Sequence, residues 1–590
     1  RCGPRLTFLS ADGRERSGDP VLSARAALAR GDTVAVRGIG GFLLAANAFD
    51  RSALQTLRAR KRRPHKPFAV MAPDLETVRR FCAVPPEAAA VLASPEAPIV
   101  ILDVLPEVAR AGRLPLDVLT PDAPTLGVML PTSPLHLLLL KPCAGDPVPT
   151  FELLVMTSGN RGGEPICLTN GEALERLAGI ADQFLCHNRE INLRADDSIA
   201  ALQRGAPQLW RRARGYAPNA LLLARPLRRR VLALGAELKN AVALGFEERV
   251  VLSPHIGDLE APEAVDSLER VARALPDFLE RRPEAVAVDA HPDMQATRLG
   301  RRLAAEAGLP VVEVQHHHAH AAAALAEHGL ESGLALVMDG TGLGPDGTVW
   351  GAELLALGPG GYRRLATFAP VPLPGGDAAV RRPARQAVAR WADAGAQPTE
   401  AMLQRLGVSA EEAAVWRQQC LKGLNAPLTH AAGRVFDAFS AALGLAPAEV
   451  TYEGQSAVRL EAAARRSRGG SGLSLPFALS ERSGILAVDW REAFARLADP
   501  VVAEGRAEDW AFAAHRAIAD AAWNMINYGL AREPAGAVAL SGGVMMNRIL
   551  NDLLVPRLEA AGLRVLLHRR VPPNDGCIAL GQAVVAGRSA

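Results

Sequence analysis

Hydrophobic and polar positions in residues 20–220 alternate between helical and strand-like spacing. Val21 to Arg30 is rich in Ala and Leu, Thr33 to Arg37 has the β-branched residues of a strand, and Ser52 to Arg63 again has helical spacing. A chain that alternates helices with strands predicts an α/β fold.

A Pro- and Arg-rich stretch from Ala217-Pro218 to Arg228-Arg229-Arg230 interrupts this pattern and predicts a linker. From Val231 onward a second α/β region contains short buried strands. These strands end in turns at Gly235, Asp339-Gly340 and Ser541-Gly542-Gly543. Because such turns let a phosphate approach backbone N–H groups, the pattern predicts a nucleotide cleft between two lobes.

Composition narrows the class of protein. The chain has 590 residues, of which 49% are hydrophobic, so it can form several packed cores. Its 66 Lys and Arg against 63 Asp and Glu leave a net charge of +3, which disfavours polyanion binding through overall charge. The apolar runs are too short to span a bilayer and the first residues do not read as a secretory signal, so we expect a cytoplasmic protein.

The seven cysteines are scattered and form no Cys-x-x-Cys pair, so reduced thiols are the default expectation. Cys2-Gly3-Pro4 is typical of the last half of a Cys-x-x-Cys-Gly-Pro zinc knuckle. We therefore expect that further N-terminal domains precede this sequence in the full protein.

The first chemical motif is the basic run Lys61-Arg62-Arg63-Pro64-His65-Lys66-Pro67. Its prolines fix the backbone and would aim Lys61, Arg63 and Lys66 in set directions, and a guanidinium can grip phosphate oxygens bidentately. A solvated basic face is the alternative explanation. Further on, a buried strand ends in Thr157-Ser158-Gly159-Asn160, which alone could be an ordinary turn or helix cap. Together the two motifs predict a nucleoside triphosphate site.

The sharpest signal is Val314-Gln315-His316-His317-His318-Ala319-His320, which precedes an Ala-rich helix. His316 and His320 are four residues apart, so on a helix both imidazoles face one side and can share a metal. Asp339, at the end of an apolar strand, and Asp575, in a Pro-Asn-Asp-Gly turn, are candidate carboxylates to complete the site. Imidazole and carboxylate ligands without a thiolate favour Fe(II), Mn or Zn, and we expect Fe or Zn.

Two further polar positions lie in apolar surroundings of the second region. Ser541-Gly542-Gly543 leads into a predicted helix N-terminus, whose N–H groups bind anions. Asp437 could accept a hydrogen bond from a ribose hydroxyl, or could be an ordinary carboxylate on a helix surface.

The sequence resembles the HypF family of carbamoyltransferases, which act in [NiFe]-hydrogenase maturation. The resemblance covers nearly the whole chain and rests on blocks at 38–42, 58–71, 127–131, 157–160, 211–218, 253–259, 289–293, 315–320, 452–461 and 572–582. It implies a YrdC-like α/β domain followed by a two-lobed actin/sugar-kinase-like (ASKHA) domain similar to threonylcarbamoyltransferases.

The resemblance also implies domain boundaries and an activity. Residues 1–18 would be the remnant of a zinc-finger region, 19–218 the YrdC-like domain, 219–230 a linker, and 231–590 the transferase domain. In the family, carbamoyl phosphate is hydrolysed to carbamate by an acylphosphatase-like domain expected to lie outside this sequence. The YrdC-like domain joins carbamate to ATP, bound with Mg²⁺, as carbamoyl adenylate. The last domain passes the carbamoyl group to the C-terminal cysteine of HypE, as the precursor of the cyanide ligands of the active-site iron.

Mapped onto this sequence, the resemblance implies three sets of site residues. The first nucleotide and carbamoyl adenylate site would use Lys61, Arg63, Lys66, Ser158 and Asn160. The metal would bind His316, His320, Asp339 and Asp575. The second nucleotide would lie against Gly340, Gly342, Asp437, Gly542, Gly543 and Asn547. Lys61, Arg63, Lys66, His316 and His320 are the expected catalytic residues.

Other functions compete with this interpretation. A small-molecule O-carbamoyltransferase or a tRNA threonylcarbamoyl enzyme shares one or both domain types. A non-catalytic nucleic-acid-binding module built on residues 58–66 would bind RNA in a strongly salt-dependent way. A sugar kinase or ATP-driven chaperone would not need the histidine cluster. We expect neither a membrane nor a nucleic acid as a partner, and the sequence leaves a homodimer open.

Overall fold

The alternating pattern of the first region produces a ten-stranded mixed sheet. Helix Pro20–Ala29, strand Val34–Arg37 and helix Arg51–Lys61 match the three predicted elements within two residues at each end. In spatial order, the strands are Leu6–Ser10, Gln183–His187, Val34–Arg37, Phe42–Asn47, Leu154–Ser158, Ala69–Met71, Thr125–Met129, Ile99–Asp103, Ile199–Gln203 and Ala206–Arg211.

The structure, a computed structural model, describes residues 3–467, 469, 472–499 and 505–589. The described residues form two compact units. The first contains the residues up to Ala220 together with Glu237–Val242 and Val251–Leu275. The second contains Leu221–Ala236, Ala243–Val250 and the residues from Pro276 onward. Cys2, the predicted zinc cysteine, lies outside the described residues.

The segment predicted as a zinc-finger remnant contributes Leu6–Ser10, which pairs antiparallel with Gln183–His187 at the edge of the ten-stranded sheet. The predicted linker contains strand Ala220–Leu222. The boundaries at residues 18, 218 and 230 stay predictions.

Two larger sheets and a short one follow along the chain. The six-stranded sheet has the order Ala220–Leu222, Arg249–Leu252, Ala243–Phe246, Val231–Ala233, Ala285–Asp289 and Val311–Val314. The seven-stranded sheet has the order Ala478–Arg482, Ile485–Asp489, Gly361–Phe368, Ala352–Gly358, Gly333–Met338, Ala537–Ser541 and Arg564–Leu567. Val371–Pro372 pairs with Leu428–Thr429.

Helices cover the sheets and bury their apolar sides. Those before residue 280 are Pro20–Ala29, Arg51–Lys61, Leu75–Arg79, Pro86–Leu92, Pro106–Ala111, Leu116–Leu119, Pro134–Leu140, Asn170–Arg176 and Pro262–Phe278. Those after it are Gln295–Ala307, His316–Glu327, Asp377–Arg381, Ala384–Asp393, Glu400–Arg405, Ala410–Lys422, Ala432–Ala442, Gln455–Ala464, Arg491–Leu497, Ala507–Leu530, Arg548–Ala560 and Ile578–Arg588. None of the described helices has the length and apolar character of a membrane span.

One packing contact positions the second site. Helix His316–Glu327, whose alanines are buried, packs closely against helix Ile578–Arg588. A Cβ atom built on Gly581 would lie 1.9 Å from the carbonyl oxygen of Ala319, so only glycine permits this approach. Asp575 begins the short 3₁₀ turn Asp575–Cys577 just before Ile578–Arg588. The close packing therefore brings Asp575 to the helix that carries the histidines.

Candidate active sites

The basic run follows a helix that its own sequence terminates. Asp50 caps the N-terminus of Arg51–Lys61, and Arg62 ends the helix in the left-handed conformation with φ 49°. The Arg58 side chain is only 8% exposed and donates to the carbonyl oxygens of Arg63 and Lys66, at 2.6 and 3.2 Å. The run is therefore not simply a solvated face, because Arg58 holds the loop that follows it.

Lys61 turns inward and is 5% exposed. Its ammonium donates to the carbonyl oxygens of Ser158 and Asn160, at 2.6 and 2.7 Å, and to Oδ1 of Asn160 at 2.7 Å. Burial, followed by the nearby Arg63 and Lys66, lowers the pKa of Lys61 to about 7. Lys61 therefore connects the basic run to the turn at 157–160, the two motifs that together predicted a nucleoside triphosphate site.

Arg63 and Lys66 are the other two cations of the motif. Arg63 donates to the carbonyl oxygens of Lys66 and Pro67 and to Oγ1 of Thr157, the last at 3.1 Å. Burial, then Arg58 and Arg211, lowers the pKa of Arg63 to about 9. The Lys66 side chain reaches solvent, yet the surrounding protein mass, then Arg63 and Arg211, lowers its pKa to about 8. An anion would relieve this crowding of cations.

The turn after strand Leu154–Ser158 has its shape set by glycine. A Cβ on Gly159 would lie 2.6 Å from the carbonyl oxygen of Phe42. The Ser158 hydroxyl donates to Oδ1 of Asn160 at 2.8 Å, and Nδ2 of Asn160 donates to the Glu164 carbonyl oxygen at 2.5 Å. The structure thus brings together all five residues that the resemblance assigns to the first site.

Sequence analysis missed three charged or titratable neighbours of this site. Arg211 lowers the pKa of Lys66, while burial raises the pKa of Asp196 against the opposing effect of Arg211 and both lysines. Burial, then Arg211, lowers the pKa of His255 well below its usual value. Asp196 and His255 line one pocket of the first unit. The mixed charges at 194–198 and the basic turn at 211–214 were the available signals.

The four predicted metal ligands meet at the carboxyl ends of strands. His316 starts helix His316–Glu327, whose N-cap Gln315 accepts from the His318 amide. Asp339 follows strand Gly333–Met338, and the parallel neighbour Ala537–Ser541 ends beside it. Since carboxyl ends of parallel strands are where open α/β sheets bind ligands, the topology favours a site here.

The ligand atoms of His316, His320, Asp339 and Asp575 lie within 4.8 Å of one another, and all four residues are buried. Nε2 of His316 is 3.6 Å from Asp339 Oδ2 and 3.8 Å from Asp575 Oδ1. Nε2 of His320 is 3.7 and 3.6 Å from the same two atoms. Ligands about 2.1 Å from one tetrahedral metal are about 3.4 Å apart. Neither Nε2 has a hydrogen-bond partner among the described residues, so the set fits a divalent metal.

The electrostatics of the cluster are those of closely paired charges. Burial opposes protonation of His316, but Asp289 and Asp339 outweigh it and raise its pKa to about 10. Burial also opposes ionisation of Asp339, but His316 and His320 outweigh it and hold its pKa well below the usual range. A metal cation would replace the protons that now balance the carboxylates.

Sequence analysis did not identify two residues that contact Nδ1 of the histidines. Asp289, the last residue of strand Ala285–Asp289, lies with Oδ2 2.8 Å from His316 Nδ1. Cys577 Sγ lies 3.3 Å from His320 Nδ1. The position of Asp289 at the end of a buried strand was a signal that could have identified it. The sequence around Cys577 contained no signal that pointed to the site.

Three of the predicted nucleotide glycines lie beside the metal cluster. The Gly543 N–H donates to Oδ1 of Asp339 at 3.0 Å and so orients that carboxylate. Gly542 has φ 91°, and a Cβ there would lie 2.1 Å from the Met338 carbonyl oxygen. A Cβ on Gly342 would lie 2.4 Å from Cε1 of His317. These glycines let the loops approach the ligands closely.

The remaining three predicted nucleotide residues are engaged differently. Gly340 lies near Arg434, whose Nη2 is 2.9 Å from Oδ2 of the buried Asp437. Oδ1 of Asn547 accepts from the Leu550 N–H at 2.9 Å, as the cap of helix Arg548–Ala560. Asn547 Nδ2 lies 2.9 Å from His515 Nε2. Asp437 is therefore not a helix surface carboxylate, and Asn547 has a structural role.

Comparisons with known proteins agree along the whole chain. The family models described as "HypF Kae1-like domain" and "Carbamoyltransferase, Kae1-like Domain, second subdomain" match residues 226–327 and 335–582. The Sua5/YciO/YrdC model, described as "Telomere recombination", matches residues 26–213. The carbamoyltransferase HypF of Rhodobacter capsulatus is 41% identical over 99% of this chain and 75% of its own length. The chain belongs to the HypF carbamoyltransferase family.

Other HypF proteins give the same result. HypF2 of Cupriavidus necator is 40% identical over 98% of this chain and 75% of its own length. A crystal structure of full-length HypF in a phosphate- and nucleotide-bound form is 34% identical, with TM-score 0.89 over 99% of this chain and 74% of that one. The crystal structure of T. kodakarensis HypF is 33% identical, with TM-score 0.89 over 100% and 76%. The predicted α/β fold, with a YrdC-like domain followed by a Kae1-like domain, is confirmed.

Metal binding by this HypF-family chain is expected to release protons. His316, with a pKa of about 10 in the metal-free protein, is protonated at pH 7 and must lose that proton to bind a metal. Affinity should therefore rise with pH from 7 to 9, by about tenfold per unit for each displaced proton. Titration calorimetry of Zn²⁺ in buffers of different ionisation enthalpy measures the proton count. Heats that do not depend on the buffer would contradict a protonated His316.

Proposed function

We propose that this chain makes carbamoyl adenylate from ATP and carbamate at the first site. It then transfers the carbamoyl group, at the metal site, to the C-terminal cysteine of HypE. The observation that carries the proposal is that one chain holds both a cationic loop around Lys61 and a buried His/Asp cluster around His316. The proposed domains are residues 19–218 for adenylation and 231–590 for transfer, joined by 219–230. The proposed location is cytoplasmic.

The related HypF structure with bound phosphate and nucleotide supports nucleotide binding by this chain. Three side chains already crowd positive charge into the first site: Lys61, Arg63 and Lys66, each with a lowered pKa. ATP with Mg²⁺ would offset that repulsion, and the guanidinium of Arg63 suits phosphate oxygens. Ser158 and Asn160 would contact the nucleotide or the carbamoyl group from the adjoining turn.

The first step forms a bond between a carbamate oxygen and the α-phosphorus of ATP. The bond from that phosphorus to the bridging oxygen breaks, and pyrophosphate leaves with its electron pair. The cations stabilise the charge that develops on the phosphoryl oxygens, so catalysis is mainly positioning and electrostatics. No proton has to move to a protein side chain in this step.

In the second step the sulfur of the HypE thiolate bonds to the carbonyl carbon, the bond from that carbon to the phosphate oxygen breaks, and AMP leaves with the electron pair. His316, His320, Asp339 and Asp575 would hold Fe or Zn, which supplies Lewis-acid polarisation of an oxygen of the adenylate. Gly543 orients Asp339, and Asp289 orients His316. Gly340, Gly342, Gly542 and Asp437 would face the nucleotide, with Asn547 holding the helix beside it.

The test is carbamate-dependent exchange of labelled pyrophosphate into ATP, followed by mass spectrometry of HypE. Ammonium bicarbonate supplies carbamate, so the assay does not need carbamoyl phosphate hydrolysis. We expect exchange only with carbamate, and one carbamoyl group on the HypE cysteine. Exchange that instead requires threonine would favour the tRNA threonylcarbamoyl alternative. ATP binding without exchange under either condition would contradict the proposal.

A further inference from the structure

The two proposed metal-binding histidines differ in the partner of Nδ1, the ring nitrogen on the opposite side from the metal site. Nδ1 of His316 contacts the Asp289 carboxylate directly, at 2.8 Å. Nδ1 of His320 instead lies 3.2 Å from the hydroxyl of Ser541. A metal-binding histidine usually donates its second ring N–H to a carboxylate, a carbonyl or water, which sets its tautomer. For His320 the Ser541 hydroxyl takes that place.

The contact at Ser541 continues through the protein interior. Ser541 Oγ lies 2.9 Å from His568 Nε2, and His568 Nδ1 lies 2.7 Å from Oε2 of Glu327. His320, Ser541 and His568 are fully buried, and the Glu327 side chain is 2% exposed. A buried hydrogen-bonded chain of four side chains thus ends in a carboxylate.

The four hydrogen-bonded side chains come from neighbouring elements of the fold. Ser541 ends strand Ala537–Ser541, and His568 directly follows the adjacent parallel strand Arg564–Leu567. Glu327 is the last residue of the helix that carries His320. Oε1 of Glu327 also accepts from the backbone N–H groups of Arg569, at 2.8 Å, and Arg570. Burial alone would raise the pKa of Glu327, but His568 and these amides outweigh it and lower the pKa.

The ionised carboxylate sets the direction of every hydrogen bond. Glu327 can only accept, so His568 donates from Nδ1; in the tautomer whose single proton is on Nδ1, the ring accepts at Nε2. The Ser541 hydroxyl then donates to His568, and its oxygen is left to accept from Nδ1–H of His320. In the singly protonated form that binds a metal, His320 therefore has its lone pair on Nε2, the atom that faces Asp339 and Asp575.

We infer that Glu327, His568 and Ser541 are positioning residues that hold His320 in the tautomer required for metal binding. This inference rests on the metal site of the proposed function, and goes beyond it by assigning residues that do not touch the metal. Cys577 Sγ, 3.3 Å from the same Nδ1, is the competing partner. A thiol is the weaker hydrogen-bonding group.

The test is the affinity of the metal-depleted full chain for Zn²⁺, measured by competition with a chromophoric chelator, in Glu327→Gln. The amide has the size of the carboxylate, but its NH₂ must donate to His568 Nδ1 or face the two backbone N–H groups. Donation to His568 reverses the direction of the hydrogen bonds through Ser541 and places a proton on His320 Nε2. We expect a loss of about 10- to 100-fold in affinity, the usual effect of removing a partner of a metal ligand.

Three variants serve as controls. Asp289→Asn, on the other histidine, should lose affinity to a similar extent. Glu353→Gln removes a buried carboxylate that pairs with Arg364 instead, and should bind Zn²⁺ like the wild type. A loss of Zn²⁺ affinity in Cys577→Ala as large as in Ser541→Ala would assign this role to the thiol and overturn the inference. Thermal unfolding of each metal-free variant separates lost positioning from lost stability.

Ser541→Ala breaks the chain at its centre and serves as the second variant if Glu327→Gln does not fold. Wild-type affinity in a folded Glu327→Gln or Ser541→Ala protein would overturn the inference while leaving the metal site and the proposed function intact. A wild type that takes up no Zn²⁺ would overturn the inference together with the metal part of the proposed function.

Discussion

Replacing His316 by Ala is expected to abolish carbamoyl transfer while leaving carbamate-dependent pyrophosphate exchange intact. The substitution removes one of the four proposed ligands, takes the imidazole partner from Asp289, and leaves Asp339 and Asp575 with His320 alone. Loss of a bound metal removes several kcal/mol of stabilisation of developing charge, which corresponds to about a 10³-fold loss of rate. HypE carbamoylation, followed by mass spectrometry, measures the transfer.

His318→Ala is the matched control, because His318 lies on the same helix but packs against Tyr362, with ring centroids 4.9 Å apart. It should retain metal and both activities. Asp575→Asn keeps the shape of the site and should reproduce the loss in His316→Ala, which excludes a general loss of folding. Full HypE carbamoylation by a metal-free His316→Ala protein would show that transfer does not use this cluster.

Lys61→Ala should produce the opposite pattern, with pyrophosphate exchange reduced by about 10²- to 10³-fold, as for other preorganised donors. The variant removes a buried cation and releases three acceptor atoms on Ser158 and Asn160. Both the phosphate-binding charge and the shape of the turn are then lost. Transfer from carbamoyl adenylate supplied directly should persist, because the metal cluster is untouched.

Arg62→Gln is the control for this experiment. Arg62 is the next cation in the run, exposed at the end of the helix, so its loss removes a positive charge from the run without touching the turn. Its exchange rate should stay near that of the wild type. If Arg62→Gln and Lys61→Ala lose exchange to the same extent, general electrostatic attraction, and not the inward placement of Lys61, would explain the effect.

Local patterns predicted several parts of both sites. Helical spacing placed His316 and His320 on one side of a helix, and they do point at common carboxylates. A buried strand followed by a polar residue placed Asp339, because a strand end is where a sheet presents ligands. The basic run with its prolines predicted that Lys61, Arg63 and Lys66 would be held in set directions. Lys61 and Arg63 are held by hydrogen bonds, whereas the Lys66 side chain is exposed.

Other features could not be predicted from spacing. Asn547 and Asp437 looked equally suited to a nucleotide, but their partners decide their roles, and those partners come from other elements. The relation of His568 and Glu327 to His320 depends on helix His316–Glu327 ending beside the loop after Arg564–Leu567. Asp196 and His255 share a pocket although they are distant in sequence.

The sequence by itself therefore determined the α/β class, the helical histidine pair and the basic loop, because these depend on periodicity and on residues close together in the chain. The family followed from the resemblance of sequence blocks along the chain. Only the tertiary structure decided which way Lys61 turns, what supports each histidine, and which polar residues are structural. Those outcomes depend on which strand ends and helices meet. That arrangement is set by packing such as the glycine contact between Gly581 and Ala319, which no local pattern encodes.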